Sequence, residues 1–150
     1  MTSKRARPLI LAADDEVHIL HVVSLKLRNA GFDVITAEDG EEAFEMALEQ
    51  APDLVITDFQ MPYMTGLELC QKLRAHEATR DIPTLMLTAR GFSLSSEDLE
   101  QTNIAGVLSK PFSPREVLAR VQELIGDTPD SLDAPDTPPL DTNTEVAQTP

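Results

Sequence analysis

The chain has 150 residues, which is enough for one ordinary domain with a tail and too few for separate cofactor and substrate domains. Hydrophobic residues make up 41% and charged residues 25%, so the composition is that of a globular protein and excludes a wholly disordered or membrane-embedded chain. A formal charge of −14 disfavours direct contact with nucleic acid or an anionic membrane, and the single cysteine, Cys70, excludes an internal disulfide and indicates a reducing, cytoplasmic setting.

Charge and proline divide the chain into unequal parts. Residues 127–150 contain six acidic residues, no basic ones and five of the 11 prolines, with too few large apolar side chains to offset the entropy of ordering. We therefore predict a disordered acidic tail at 127–150, a folded domain at 8–126 and a short N-terminal extension at 1–7.

Within the folded part, short apolar runs alternate with apolar residues at helical spacing. The runs are of strand length and apolar on both faces, as in buried parallel strands, and lie at 9–13, 32–36, 54–57, 82–87 and 105–108. The helical stripes are Ile19, Val23, Leu27 and Ala30, then Phe44, Ala47, Leu48 and Ala51, then Gly66, Leu69, Cys70 and Leu73, and finally Val117, Val121, Leu124 and Ile125. A fifth, weakly apolar helix is predicted at 94–101. This alternation predicts an α/β fold, a doubly wound five-stranded parallel sheet flanked by five helices.

Helix boundaries are marked by local signals. Thr65 with Glu68, and Ser113 with Glu116, match the capping-box pattern, in which two side chains satisfy free backbone N–H groups at a helix start. Gly31 stands where the first helix should end.

Polar side chains follow four of the predicted strands at their carboxyl ends, where ligands bind in this fold class. Asp14 and Asp15 follow the first strand, Asp58 the third, Thr88 the fourth and Lys110 the fifth. Neighbouring carboxylates repel one another unless a cation neutralises them, and such oxygen ligands suit Mg²⁺ together with a phosphate. The sequence therefore predicts a magnesium and phosphate site that uses no P-loop.

Taken singly, most of these residues have simpler interpretations. Asp14 or Asp15 alone is typical of a helix cap, Thr88 of a turn hydroxyl and Lys110 of a solvated surface residue. Asp58 is harder to explain in this way, because no helix begins directly after its strand. Their joint placement at four strand ends favours one site.

The same residues lie in motifs that resemble the receiver domain of two-component response regulators, over roughly residues 8–126. Residues 53–66, DLVITDFQMPYMTG, resemble the phosphoacceptor strand and its following loop, and residues 85–89, LMLTA, the switch-hydroxyl segment. Residues 109–112, SKPF, resemble the lysine-proline turn, and Asp14-Asp15 the acidic pair. The resemblance implies the flavodoxin-like receiver fold.

The resemblance also implies a phosphoacceptor and its metal ligands. Asp58 would accept the phosphoryl group. Asp15, Asp58 and the backbone carbonyl of Gln60 would bind Mg²⁺ directly, with Asp14 acting through a water.

The remaining implied residues contact the phosphoryl group or respond to it. Lys110 and the Thr88 hydroxyl would contact phosphoryl oxygens, with backbone amides near Gln60 and Ala89 completing the cradle, and the bond before Pro111 would be cis. Thr88 and Val107 occupy the family's switch positions, and Val107 stands where the family usually has an aromatic side chain.

The leading hypothesis is a single-domain phosphorelay switch. It would take a phosphoryl group from a phosphohistidine on a sensor histidine kinase or a histidine phosphotransfer protein, and then bind an unidentified downstream protein. It would not be an enzyme beyond catalysing its own phosphorylation and autodephosphorylation.

Two other functions stay open at this point. An aspartate-nucleophile phosphatase shares the strand-end aspartate, the magnesium and the lysine, but it usually needs a second aspartate two residues beyond the nucleophile, where Gln60 stands. A docking module that works without phosphorylation is kept open by Val107, while the intact acidic residues, Thr88 and Lys110 argue against it.

Overall fold

Strands and helices alternate along the chain in the computed structural model, which describes residues 7–89 and 94–125. The strands are β1 (Leu9–Ala13), β2 (Asp33–Ala37), β3 (Leu54–Asp58), β4 (Thr84–Thr88) and β5 (Ile104–Ser109). The helices are α1 (Val17–Asn29), α2 (Gly40–Gln50), α3 (Gly66–Ala75), α4 (Ser96–Glu100) and α5 (Pro114–Ile125).

The strands form one parallel sheet in the order β2-β1-β3-β4-β5. The chain therefore moves outward from β1 in one direction to β2 and in the other direction through β3, β4 and β5. The carboxyl ends of β1 and β3 flank the point where the strand order reverses, which is where ligands bind in open α/β sheets. The predicted doubly wound fold is confirmed.

Alternate side chains of the inner strands fill two separate cores. Ile10 and Ala12 of β1 belong to the core on the α1 and α5 face, and Leu11 and Ala13 to the core on the α2 and α3 face. Both faces of the sheet are thus covered by helices, which explains why the inner strands read as continuous apolar runs.

The prediction that all the strands are apolar on both faces is wrong for the two edge strands. Every residue of β1, β3 and β4 is buried, whereas β2 exposes Asp33 and Thr36. In β5, Ala105 and Ser109 are exposed and the other residues are only half-buried. An edge strand has a neighbouring strand on one side only, so its flanking side chains meet solvent.

Two predicted strands begin too early, for reasons that lie in the backbone. Phe32 donates its N–H to the Leu27 carbonyl at 3.1 Å, so it closes the end of α1 and β2 begins at Asp33. Pro83 has no N–H to give to the sheet, and β4 begins after it at Thr84.

The predicted helix signals are confirmed. In the Thr65 and Glu68 capping box both hydrogen bonds form, and the Ser113 and Glu116 pair makes the same two bonds at the start of α5. Gly31 has a φ of 104°, a left-handed conformation that glycine adopts without strain, and follows the end of α1.

The predicted apolar stripe of α2 is wrong in part. The buried positions are Gly40, Ala43 and Ala47, whereas Leu48 is 37% exposed and Ala51 lies in the left-handed cap that ends the helix. The buried face of α2 consists of small residues because the helix packs closely against neighbouring residues such as Met64. A methyl group on Gly40 would come within 2.8 Å of the Met64 Cβ.

Helix α4 is shorter than predicted. It spans Ser96–Glu100, buries none of its residues and begins with a Ser95 and Asp98 capping box that was not predicted. A segment with so little apolar surface to bury gains its helical turn from capping rather than from packing.

The chain ends extend beyond the described residues, which exclude the predicted tail and residues 1–6 of the predicted extension. Arg7, the last residue of that extension, pairs with Asp33 at 3.1 Å and donates to the carbonyls of Arg28 and Phe32. Within the described part, none of the helices combines the length and apolar character needed to cross a membrane.

Candidate functional site

The carboxyl ends of four strands place the predicted site residues at one edge of the sheet. Asp58 and Thr88 are the last residues of β3 and β4, and Lys110 directly follows β5. Asp14 and Asp15 follow β1. The sequence folds this way because parallel strands all end on the same side of the sheet.

Lys110 and Asp58 are in direct contact. The Lys110 Nζ lies 2.8 Å from the Asp58 Oδ1, and the Gln60 backbone N–H donates to the Asp58 Oδ2 at 3.0 Å. The Asp58 side chain is only 6% exposed. Both carboxylate oxygens are therefore held, which fixes the orientation of the group in the cleft.

Asp14, Asp15 and Asp58 form an acidic cluster. Each offers one oxygen, and these atoms all lie within 4.8 Å of one another. The buried Asp14 uses its Oδ1 to accept the Glu16 N–H at 2.9 Å, while its Oδ2 has no hydrogen-bond partner among the described residues. A buried carboxylate oxygen without a partner, beside two further carboxylates, fits a hard divalent cation such as Mg²⁺.

The electrostatics of the cluster follow from burial. Burial raises the pKa of Asp14 to about 6, against a backbone hydrogen bond from Glu16 that lowers it. Burial also raises the pKa of Asp58, although the Lys110 hydrogen bond opposes this. For Lys110, burial lowers the pKa, but the Asp58 hydrogen bond and the charges of Asp58, Asp14 and Glu16 outweigh it and the pKa rises. The single positive charge of Lys110 is thus shared among Asp58, Asp14 and Glu16. Because the negative charge is in excess, a further cation would stabilise the cluster.

Thr88 presents a second unsatisfied group. Its side-chain Oγ1 is buried and has no hydrogen-bond partner in the described part of the chain, while its backbone carbonyl accepts the Lys110 N–H at 2.8 Å. The peptide bond between Lys110 and Pro111 is cis. The backbone that carries Lys110 is therefore tied to the end of β4.

A small cavity of about 140 Å³ opens beside Asp58. Gln60, Ala89 and Lys110 line it together with Asp58, Phe59 and Leu87. The cavity therefore joins three of the four residues expected to contact a phosphoryl group, and Thr88, the fourth, does not line it.

Gly66 holds the backbone at the end of β3. A methyl group at this position would overlap the Asp58 carbonyl oxygen, and the Gly66 N–H donates to the Phe59 carbonyl at 2.7 Å. Only glycine lets the start of α3 approach the end of β3 this closely.

Val107 lies in the middle of β5 and is half-buried, paired in register with Met86 of β4. Its carbonyl accepts a hydrogen bond from the Arg120 guanidinium at 2.9 Å. A methyl group on the neighbouring Gly106 would lie 3.1 Å from an Arg120 nitrogen. Arg120 of α5 therefore lies against β5 beside Val107, the position at which the sequence comparison with receiver domains leads one to expect an aromatic side chain.

Sequence reasoning missed Glu16. Its Oε1 lies 3.6 Å from the Lys110 Nζ, so Lys110 faces a second carboxylate beside that of Asp58. The available signal was local: glutamate is not a favoured helix N-cap, yet it stands at the N-cap of α1.

Comparisons with known proteins identify the family that the chain resembles in sequence and fold. A family model described as response regulator receiver domain matches residues 10–122. The alkaline phosphatase synthesis transcriptional regulatory protein PhoP of Bacillus subtilis (strain 168) is 40% identical over 124 residues, which cover 77% of this chain and 48% of that protein. The chain spans about half the length of the curated relatives it matches.

Two solved structures are similar along nearly their whole length. The chemotaxis response regulator CheY4 of Vibrio cholerae is 35% identical with a TM-score of 0.73, covering 79% of this chain and 98% of that one. The receiver domain of the sensor histidine kinase PA1611 of Pseudomonas aeruginosa PAO1 is 29% identical with a TM-score of 0.71, covering 81% of this chain and 99% of that one, and it has a magnesium ion coordinated in its active site cleft. On its fold, its strand-end residues and these matches, the chain belongs to the response regulator receiver domain family.

Proposed function

We propose that the chain is a phosphoacceptor that takes a phosphoryl group from a phosphohistidine onto Asp58 and then signals by binding another protein. The observation that carries the proposal is the 2.8 Å contact between the Lys110 Nζ and the Asp58 Oδ1, in a cleft that Gln60 and Ala89 also line. The donor would be a sensor histidine kinase or a histidine phosphotransfer protein.

The transfer needs little beyond positioning and charge stabilisation. An Asp58 carboxylate oxygen attacks phosphorus, the bond between phosphorus and the imidazole nitrogen breaks, and the bonding electron pair stays on that nitrogen. Lys110 and the free hydroxyl of Thr88 would contact the phosphoryl oxygens, with the backbone N–H groups of Gln60 and Ala89 beside them.

Mg²⁺ fits the acidic cluster. Asp15, Asp58 and the Gln60 backbone carbonyl would hold it directly, with Asp14 through a water, and the partnerless oxygen of Asp14 supports this assignment. Bound there, the ion would neutralise charge on the phosphoryl group and on the carboxylates. The magnesium in the PA1611 receiver domain supports the choice of ion.

In this proposal the chain is itself the acceptor of the phosphoryl group. The only phosphate ester or anhydride that it would hydrolyse is its own phosphorylated Asp58. A phosphatase is disfavoured because the exposed Gln60 stands where the second catalytic aspartate would be. The charge of −14 favours a protein as downstream partner over direct binding to nucleic acid or membrane, and a cytoplasmic location goes with such a phosphorelay. Thr88 and Val107 would carry the response through β5 and α4.

The test is direct phosphorylation with a small donor. Incubation with acetyl phosphate and magnesium should raise the intact mass of the wild-type protein by one phosphoryl group, and chelating the metal should suppress this gain. Asp58→Asn keeps the side-chain volume but removes the nucleophile, so it should stay unlabelled. Equal labelling of Asp58→Asn would show another acceptor, and an unlabelled wild type would overturn the proposal in favour of a docking module.

A further inference from the structure

Helix α1 exposes several apolar side chains to solvent. Six large hydrophobic side chains are exposed in the described part of the chain, and three of them, Val17, Val22 and Leu25, lie on this helix. Val22 is 45% exposed and Leu25 52%. Single exposed apolar side chains are common, but a group of them on one helix indicates a contact surface.

Two of these side chains line a groove between α1 and the start of α5. The groove has a volume of about 510 Å³; α1 contributes Val22, Leu25 and Lys26 to it, and the start of α5 contributes Pro114 and Arg115. Its lining includes one cation from each helix and no carboxylate, in a chain with 26 acidic and 12 basic residues. None of these residues lines the cavity beside Asp58, so the groove is separate from the phosphoryl site.

The two cations of the groove have no partners within the described part of the chain. Neither Lys26 nor Arg115 makes an ion pair or a side-chain hydrogen bond there, whereas Arg7 and Lys110 pair with carboxylates. An apolar surface between two unpaired cations is complementary to an apolar residue that has a carboxylate on either side. The occupant that fits is therefore a short acidic segment with one large apolar side chain.

The chain itself contains such a segment shortly after α5. Residues 130–133, Asp-Ser-Leu-Asp, place Leu132 between two aspartates, and they lie outside the described part of the chain. Leu132 comes seven residues after Ile125, the last residue of α5. A stretch of this length spans up to about 23–25 Å, whereas α5 from Ile125 back to Pro114 is about 17 Å long. The segment is therefore able to reach the groove.

We propose that residues 130–133 bind in this groove of the same chain. Leu132 packs against the apolar side chains of α1, and the flanking aspartates pair with Lys26 and Arg115. Attachment to the same chain keeps the segment at an effective concentration of the order of millimolar, so a contact of about millimolar affinity is occupied about half of the time. A second copy of the chain is disfavoured as the occupant, because both copies have a formal charge of −14. Another protein that binds this face has to displace the segment.

A spin label beside the segment tests the contact in the full chain. Ala134→Cys provides a single reactive thiol for a nitroxide, because Cys70 is only 1% exposed. Compared with the reduced label, the nitroxide should lower the amide NMR signals of Val22, Leu25 and Lys26 to about half or less, as expected for a contact that is occupied half of the time. Unchanged signals at these three residues would overturn the inference.

A matched pair of leucine variants shows whether the contact is specific. In the spin-labelled chain, Leu132→Ser should restore the signals on α1. Leu140→Ser should leave them reduced, because Leu140 follows two prolines and has an adjacent aspartate on one side only. The signal of Ile125 is an internal reference, since the label is attached nine residues after it in every variant. Recovery with both variants, or with neither, would contradict the assignment to residues 130–133.

Charge reversal tests the two cations of the groove. Lys26→Glu with Arg115→Glu should release the segment, and adding Asp130→Lys with Asp133→Lys should bring it back, because the complementary charges are restored. Both cations lack partners in the described part of the chain, so the melting temperature should stay about the same in all of these variants. A fourfold variant that keeps its melting temperature and still does not recover the contact would refute the pairing.

A mixed sample distinguishes the segment of the same chain from that of a second copy. It combines isotope-labelled chain without nitroxide and spin-labelled chain without isotope. In this mixture the signals of Val22, Leu25 and Lys26 should keep their full intensity, because the contact forms within one chain. A loss of intensity there would show that the segment binds a second copy, and the inference would be wrong.

Discussion

The inner strands and the α4 and β5 side of the sheet differ in how firmly they are packed. Every residue of β1, β3 and β4 is buried, whereas β5 is half-buried at best and α4 buries none of its residues. The site uses both regions, since the carboxylates and Thr88 stand on the inner strands and Lys110 follows the edge strand. Asp58 thus ends a strand that is buried along its whole length, whereas α4 and β5 bury little and are the segments that cost least to move.

A pair of leucines in direct register gives the largest expected difference between the two regions. Leu87 in β4 is 2% exposed and lies opposite Leu108 in β5, which is half-buried and packs against the same core. Leu87→Ala should lower the free energy of unfolding by about 3–5 kcal/mol and Leu108→Ala by about 1–2 kcal/mol. The cost grows with the volume of the cavity that the missing side chain leaves, and the surroundings of a fully buried residue cannot move in to fill it. Urea unfolding measures both, and equal losses would contradict the proposed difference in packing.

Two glycines make the same comparison through the backbone. Gly66→Ala drives a methyl group into the Asp58 carbonyl, which cannot yield without moving β3, and should cost about 2–3 kcal/mol and slow labelling of Asp58. Gly106→Ala meets the end of the flexible Arg120 side chain at 3.1 Å and should cost less than about 1 kcal/mol. Thermal melts and acetyl phosphate labelling test the pair. A Gly106→Ala loss as large as that of Gly66→Ala would show that the edge is packed as tightly as the interior.

The pH dependence of stability sharpens the comparison at the carboxylates. The pKa of Asp14 is raised from 3.8 in the unfolded chain to about 6 in the fold, so the native state holds its proton more tightly. Without magnesium, stability should therefore fall as pH rises from about 4 to about 6, by about 2 kcal/mol. Asp14→Asn should remove this loss, and magnesium should restore stability above pH 6. A flat profile in wild type, measured by urea unfolding, would argue against an uncompensated Asp14.

The interior of this fold could be read from the sequence because a strand buried on both faces leaves an unbroken apolar run. The apolar run at 9–13 predicts β1 to the residue, and the strand-end rule selects Asp58, Thr88 and Lys110 from the sequence alone. The roles of these residues in phosphoryl transfer stay predictions. What the structure adds is their proximity, above all the contact between Lys110 and Asp58.

The remaining features depend on tertiary contacts that leave little trace in the sequence. The buried face of α2 consists of glycine and alanine, which do not stand out in a search for large apolar residues. The exposure of β2 and β5 depends on strand order, which the local pattern does not encode. The contact between Glu16 and Lys110 joins residues 94 positions apart in the sequence. The residues next to each of them in the sequence do not predict it, apart from the unusual glutamate at the N-cap of α1.

The position of Lys110 after the last strand has a consequence for how the chain folds. Asp14, Asp15 and Asp58 are brought together as soon as β1 and β3 pair, but the cation that balances them arrives only when β5 joins the sheet. A partly folded chain that lacks β5 therefore contains a carboxylate cluster without its lysine, and mutual repulsion raises its free energy. Docking of the final strand relieves that repulsion. The charges of the site thus favour complete folding over a four-stranded intermediate, even though none of the residues of β5 is fully buried.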